Sequence, residues 1–160
     1  MNLATFLEIQ KSEDRQAIII HAPAMSGKTI FVKQLTNLHE EIHYIDFLKA
    51  YLENPHPLIH LMGFTAFRDY LLSLSIPKDC SAVIVDQLDF LFNTWDKSEK
   101  EKFVQWLKFN LRSPAVVQQT FIFVLQTDDI ITSSEMNNSL QQSRIINLNN
   151  LENLYKPGRK

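Results

Sequence analysis

Short runs rich in apolar residues recur along the chain and are separated by polar segments. The clearest, residues 82–86 and 120–125, are almost uniformly apolar and rich in β-branched or aromatic residues. Runs of this kind are typical of strands that are buried on both faces of a sheet. The pattern predicts five strands, at residues 17–20, 42–47, 82–86, 120–125 and 144–148.

Between these runs the apolar residues recur at the spacing of amphipathic helices. Asn54-Pro55-His56-Pro57 interrupts this pattern, because a proline disfavours helix at the residue before it. Ser98 followed by Glu101 resembles a capping box at the start of one helix. The predicted helical segments are 2–10, the stretch after the first strand to about His39, one or two helices within 58–75, about 98–111, and a polar helix-like stretch at about 133–142.

Strands that alternate with helices indicate an α/β fold with a parallel sheet and right-handed crossovers. We predict one domain over residues 1–150, built as a three-layer αβα sandwich around a five-stranded, mainly parallel sheet. The segment 151–160 ends in Lys-Pro-Gly-Arg-Lys and is predicted to be a basic, disordered tail. In such sheets ligands bind at the carboxyl ends of the strands.

The loop after the first strand has the pattern of a phosphate-binding loop. Ala22 is followed after four residues by Gly27-Lys28-Thr29, and a predicted helix begins there. Such a loop points backbone N–H groups at one spot, where the helix dipole also favours negative charge. Ala22 and Met25 stand where many such loops carry glycine. The predicted nucleotide-binding residues are Pro23, Ala24, Met25, Ser26, Gly27, Lys28 and Thr29.

Within this loop each residue type has a chemical reason. Gly27 lets the backbone approach the phosphates. Lys28 supplies a point charge for the β- and γ-phosphates, and the Thr29 hydroxyl is a candidate Mg²⁺ ligand. The cofactors that the loop predicts are therefore ATP and Mg²⁺.

Polar residues also end the third and fourth predicted strands. Asp86 ends the third and is the predicted carboxylate for Mg²⁺, which it binds either directly or through a water. The next residue, Gln87, can orient a water by hydrogen bonding but cannot accept its proton, so Asp89 is the alternative base. Gln126 and Thr127 end the fourth strand and either hold the attacking water, sense the γ-phosphate or are ordinary polar loop residues.

Composition narrows the class of protein. The 160 residues are 45% hydrophobic and 21% charged, which is typical of a globular domain. The net charge of −2 gives no overall basic field for nucleic acid. A single cysteine, Cys80, excludes an internal disulfide framework, and neither a signal peptide nor an apolar run of transmembrane length is apparent. The expectation is a cytoplasmic protein without a membrane partner.

The order of these elements resembles the core of the AAA+ class of P-loop ATPases over about residues 17–150. Pro23 matches the Gly-Pro-x-Gly-x-Gly-Lys-Thr form of the loop, and Asp86-Gln87-Leu88-Asp89 resembles the family's Asp-Glu-Leu-Asp with Gln in place of the catalytic Glu. Ser143-Arg144 resembles the Ser-Arg motif of clamp-loader-like members. The resemblance implies that Arg144 reaches the nucleotide of a neighbouring subunit, in a homo-oligomer or a hetero-assembly. The family's helical lid domain is not expected here.

A narrower resemblance is to the BrxF family, the small ATPases of type III bacteriophage-exclusion defence systems. It depends on Tyr44-Ile45-Asp46-Phe47-Leu48 and on the segment 86–92, and it implies ATP-dependent assembly on DNA. The function expected from both resemblances is a slow ATPase that depends on oligomerisation and acts in a DNA-associated complex.

Two other functions stay open at this point. One is a nucleotide-gated scaffold or regulatory subunit that binds ATP and hydrolyses little of it. The other is a small-molecule kinase, although no arginine-rich lid segment lies between the strands. A GTPase is disfavoured because no Asn-Lys-x-Asp follows the fourth strand.

Overall fold

The fold is built on one sheet of five strands, all of them parallel. The computed structural model of the protein describes residues 3–13, 17–111 and 119–151. The strands are β1 (Ala17–Ala22), β2 (Ile42–Asp46), β3 (Ala82–Asp86), β4 (Thr120–Gln126) and β5 (Ile145–Asn147). The α-helices are α1 (Leu3–Gln10), α2 (Lys28–Leu38), α3 (Phe47–Glu53), α4 (Phe64–Ser73), α5 (Asp89–Phe92) and α6 (Lys97–Gln105).

Short helical segments complete these elements. A 3₁₀ turn, Ile59–Leu61, precedes α4, and a second one, Leu148–Asn150, follows β5. A π-helical turn, Trp106–Asn110, extends α6. In the part of the chain that the structure describes, no helix is both long enough and apolar enough to cross a membrane.

The strands lie in the order β2-β3-β4-β1-β5, so β4 separates the first strand from the third. After β1 the chain passes the positions of β4 and β3 and forms β2 at one edge of the sheet. It then returns toward the centre and forms β3 and β4 in turn. A reversal of direction places the crossing helices on opposite faces of the sheet when every crossover has the same hand. The helix α2 accordingly packs on one face, and α3, α4 and α6 pack on the other.

Alternation along the strands divides the core into two clusters. Ile18 and Ile20 face the smaller cluster, with side chains from α1 and α2, whereas Ile19 faces the larger one. The larger cluster is rich in aromatic rings, among them Phe67 and Phe103, which are fully buried. Because both faces of β3 and β4 are covered, these strands can be apolar at every position.

The predicted α/β three-layer sandwich with its five parallel strands is confirmed. The predicted helix at residues 2–10 is present as α1, and the second predicted strand ends one residue early, because Asp46 caps α3 by accepting a bond from the Lys49 N–H. The helix predicted from residue 98 begins at Lys97, because Asp96 caps it by accepting from the Glu99 N–H. Residues 152–160, most of the predicted disordered tail, lie outside the described residues.

The predicted polar helix at about 133–142 is wrong. This segment consists of turns, with one bridge between Asn137 and Ser143. The buried Asn138 is the cause, since its Oδ1 accepts from the backbone N–H groups of Leu140 and Gln142, both at 2.9 Å. An asparagine side chain that bonds its own backbone in this way offers the chain an alternative to helix.

Candidate functional site: a crevice at the carboxyl ends of β1, β3 and β4

The neighbouring strands β1 and β4 lead the chain toward opposite faces of the sheet. After β1, α2 packs into the smaller cluster, and after β4, Ile131 and Met136 pack into the larger one. Ligands of open parallel sheets bind in the crevice at such a point. The two connections meet there, because the Thr127 N–H donates to the Ala22 carbonyl at 3.0 Å.

The loop between β1 and α2 lines this crevice. Gly27 caps α2 with φ of 88°, in the left-handed region that glycine adopts without strain, and no side chain caps this end of the helix. A Cβ added at Gly27 would meet no atom within 4 Å, so the space beside it is open. Residues 23–27 are exposed, and Lys28 is half-buried with Nζ 3.5 Å from the Pro23 carbonyl.

Met25 also has positive φ, 59°, and its side chain is fully exposed. This is one of the two positions where many phosphate-binding loops carry glycine, and a left-handed residue with a Cβ costs about 1–2 kcal/mol. The loop therefore keeps a conformation that suits glycine although a methionine occupies the position.

Asp86 is the centre of a hydrogen-bond network beside this loop. Its side chain is 2% exposed, and its Oδ2 accepts from the Thr29 hydroxyl at 2.9 Å. Its Oδ1 accepts from the Gln87 N–H at 2.8 Å. The structure thus brings Thr29 and Asp86, predicted from sequence as the metal residues, into direct contact.

Sequence reasoning missed Tyr44, which belongs to the same network. The Tyr44 hydroxyl donates to Asp86 Oδ2 at 2.8 Å. Burial and the neighbouring Asp86 raise the pKa of the phenol far above its usual value, so it stays a proton donor at every physiological pH. Its side chain lies on the same face as Asp86 because Tyr44 pairs with Ile84, two residues before Asp86. That relation could be found only after β2 was placed beside β3.

Gln87 and Asp89 take different positions at the site. Gln87 has positive φ, 62°, and its Nε2 donates to Thr29 Oγ1 at 3.1 Å, so the amide lies beside the candidate metal ligand. Asp89 Oδ1 accepts from the Gln126 N–H at 2.9 Å and so connects the segment after β3 to the end of β4. The roles of Gln87 in orienting a water and of Asp89 as the alternative base stay predictions.

Thr127 has a partner that sequence reasoning also missed. His21 Nδ1 lies 2.9 Å from Thr127 Oγ1, and burial lowers the pKa of His21, which favours the neutral imidazole at pH 7. The segment that follows is held by Asp128, which forms a 2.6 Å ion pair with Lys100. Burial by itself would raise the pKa of Asp128. Hydrogen bonds from Lys100 and from the backbone N–H groups of Ile131 and Ile130 outweigh burial and lower this pKa.

The predicted role of Arg144 in a neighbouring subunit is wrong. Its side chain is 2% exposed, and its guanidinium Nη1 donates to the carbonyls of Ala17 at 3.2 Å and Leu107 at 3.4 Å. Ala17 begins β1 whereas the phosphate-binding loop follows its last residue, so the guanidinium lies at the opposite end of the strand from the loop. A side chain enclosed there cannot project across a subunit boundary.

We therefore expect Arg144→Ala to act on stability. Each buried carbonyl that loses its donor costs about 1–3 kcal/mol, and the missing side chain leaves a cavity as well. We expect the melting temperature to fall by at least about 5 °C in circular dichroism. The control is Arg68→Ala, which removes a partly exposed arginine paired with Asp69 and should cost about 1 kcal/mol or less. A parent-like melt for Arg144→Ala would contradict the buried position.

The donor atoms at the site fit Mg²⁺ with a nucleotide. Mg²⁺ is held through one or two oxygen ligands of the protein plus substrate phosphates, and Thr29 and Asp86 offer a hydroxyl and a carboxylate. Among the residues that the structure describes, no group of three or more His, Cys, Asp or Glu could hold a metal ion by itself. The phosphates of a nucleotide would supply further oxygen ligands, and the open space beside Gly27 can admit them.

Comparison with known proteins leaves the function to be argued from this geometry. Neither a protein-family model nor a curated protein matches the sequence. A DNA polymerase III gamma subunit-related protein from Thermotoga maritima is similar in structure at 15% identity and a TM-score of 0.45, over 98% of this chain and 47% of that one. The Drosophila ORC bound to DNA is similar at 15% identity and a TM-score of 0.41, over 91% of this chain and 41% of that one. The chain spans less than half the length of either.

Proposed function

We propose that this chain binds ATP·Mg²⁺ at the crevice and is a slow, AAA+-like ATPase. The observation that carries the proposal is the contact between Thr29 and Asp86. It lies beside a loop that ends at Gly27, the cap of α2, where the adjoining space is open. Two residues 57 positions apart supply the hydroxyl and the carboxylate that a phosphate-bound Mg²⁺ requires. An ordinary strand–loop–helix would not need a buried carboxylate at this point.

In this proposal each residue has one task. The backbone at Gly27 and the Lys28 ammonium bind the phosphates, and Thr29 and Asp86 hold the metal. Bound Mg²⁺ would neutralise charge that develops on the transferred phosphoryl group. Gln87 orients a water without taking its proton, so the expected rate is low, and Thr127 offers a hydroxyl at the same edge of the sheet.

The direct test of binding is calorimetric titration with ATP in Mg²⁺ and in EDTA. We expect one saturable site that is tighter with Mg²⁺, and a weaker response to GTP. A cooperatively folded protein that shows no heat of binding up to millimolar ATP would overturn the proposal.

Assembly is the second part of the proposal. We propose that hydrolysis depends on a group from a neighbouring subunit, other than Arg144. We further propose that the assembly acts on DNA in a defence complex, and the support for this part is the sequence resemblance. The rate per subunit should rise with protein concentration, and light scattering should show larger particles with ATP and DNA. This part of the proposal would be contradicted if the rate per subunit did not change with protein concentration and the particle mass did not change with ATP and DNA.

A nucleotide-gated scaffold is the second candidate function. The observation that favours it is the bond from Gln87 Nε2 to Thr29 Oγ1, which places an amide donor where the chemistry would call for a carboxylate. ATP binding with assembly but without detectable phosphate release would favour the scaffold over the ATPase.

A further inference from the structure

Tyr44 is the residue of the site that the phosphate-binding chemistry does not explain. It lies on β2 at the edge of the sheet, and its hydroxyl reaches Asp86 across 42 residues of sequence. We propose that Tyr44 is a positioning residue, which holds the Asp86 carboxylate so that Thr29 presents an oxygen lone pair to the metal. This inference rests on the proposed function, because it concerns the same metal site.

The first step concerns the Thr29 hydroxyl. A hydroxyl that binds a cation does so through a lone pair, so its proton must point to an acceptor elsewhere. In the structure that acceptor is Asp86 Oδ2, at 2.9 Å. Gln87 Nε2 occupies one of the two lone pairs of Thr29 Oγ1, at 3.1 Å. The direction of the remaining lone pair is therefore set by the position of Asp86 Oδ2.

The second step concerns what fixes Asp86 Oδ2. The other oxygen, Oδ1, accepts from the Gln87 N–H at 2.8 Å. The Tyr44 hydroxyl adds a second donor on Oδ2 itself, at 2.8 Å. Because Asp86 is 2% exposed, bulk water has little access to replace this donor. Tyr44 and Thr29 together determine where Oδ2 lies.

The third step concerns what fixes Tyr44. Its ring is half-buried and packs against the smaller core cluster. Lys33 Nζ lies 5.7 Å from the ring centroid, within the range of a cation–π contact. Lys33 is one helical turn after Thr29 on α2, so the helix that carries the metal ligand also holds the ring of the residue that orients it.

The test is Tyr44→Phe, which keeps the ring and removes the hydroxyl. The dissociation constant of ATP is measured by calorimetry in EDTA and in Mg²⁺. The constant in EDTA divided by the constant in Mg²⁺ reports the metal site alone. We expect this ratio to fall about tenfold, because partners that orient metal ligands are commonly worth 10–100-fold in metal affinity. The affinity in EDTA should stay within twofold of the parent. The spectrum of Mn²⁺ in electron paramagnetic resonance should change in parallel.

The matched control is Tyr51→Phe, whose hydroxyl donates to the Pro57 carbonyl at 2.7 Å and contacts no residue of the site. It should leave the Mg²⁺ ratio unchanged. An unchanged ratio in a folded Tyr44→Phe would overturn the proposal, as would equal losses of affinity in EDTA and in Mg²⁺, which indicate a structural role only. A parent protein that binds no ATP would instead defeat the proposed function.

Discussion

Lys28→Ala is expected to remove ATP binding while leaving the protein folded. The Lys28 side chain is half-buried, and the hydrogen bond that its ammonium makes in the structure is a long one, 3.5 Å to the Pro23 carbonyl. Its loss therefore removes a charge that phosphate needs and little packing. A charge-assisted hydrogen bond contributes about 1.5–3 kcal/mol, so the loss of bonds to two phosphates should weaken ATP by at least roughly 100-fold.

Calorimetry and thermal melting together check this prediction. The control is Lys97→Ala, which removes an exposed lysine near Glu101 and should change neither ATP affinity nor melting temperature appreciably. Parent-like ATP affinity in a cooperatively melting Lys28→Ala would show that the loop has been misassigned. A variant that fails to melt cooperatively would show that Lys28 has a structural role.

Gln87→Glu is expected to accelerate ATP hydrolysis. The parent side chain donates from Nε2 to Thr29 Oγ1, whereas a carboxylate at the same position cannot donate and can accept a proton from water. General-base catalysis commonly raises a reaction rate about 10²–10⁴-fold, and we expect the rate of Gln87→Glu to rise by at most this factor. Phosphate release under single-turnover conditions measures the change.

Asp89→Asn tests whether Asp89 acts as the base. An asparagine Oδ1 can still accept from the Gln126 N–H, as Asp89 does at 2.9 Å, so this variant removes proton acceptance while it keeps the connection to β4. It should hydrolyse ATP at the parent rate. Suppose that Gln87→Glu hydrolyses ATP at the parent rate and that Asp89→Asn does not hydrolyse it. Asp89 would then be the base, and the role proposed for Gln87 would be wrong.

Local pattern in the sequence was enough to predict the five strands and the loop. A strand covered on both faces must be apolar at nearly every position, and the runs at 82–86 and 120–125 meet that condition. Gly27-Lys28-Thr29 between a strand and a helix predicts the loop because the requirement for φ near 88° and for free N–H groups is local. Asp86 was found for the same reason, as the polar end of an apolar strand.

Only the tertiary structure decided which distant residues meet these local features. The contacts of Asp86 with Tyr44 and of His21 with Thr127 span 42 and 106 residues, and they depend on the strand order, which periodicity does not contain. Arg144 matched a motif in the sequence. In the structure it is buried beside β1, and its guanidinium donates hydrogen bonds to backbone carbonyls. A local pattern specifies how a segment folds and which residue types it presents, whereas burial and partners are set by the neighbouring segments that pack against it.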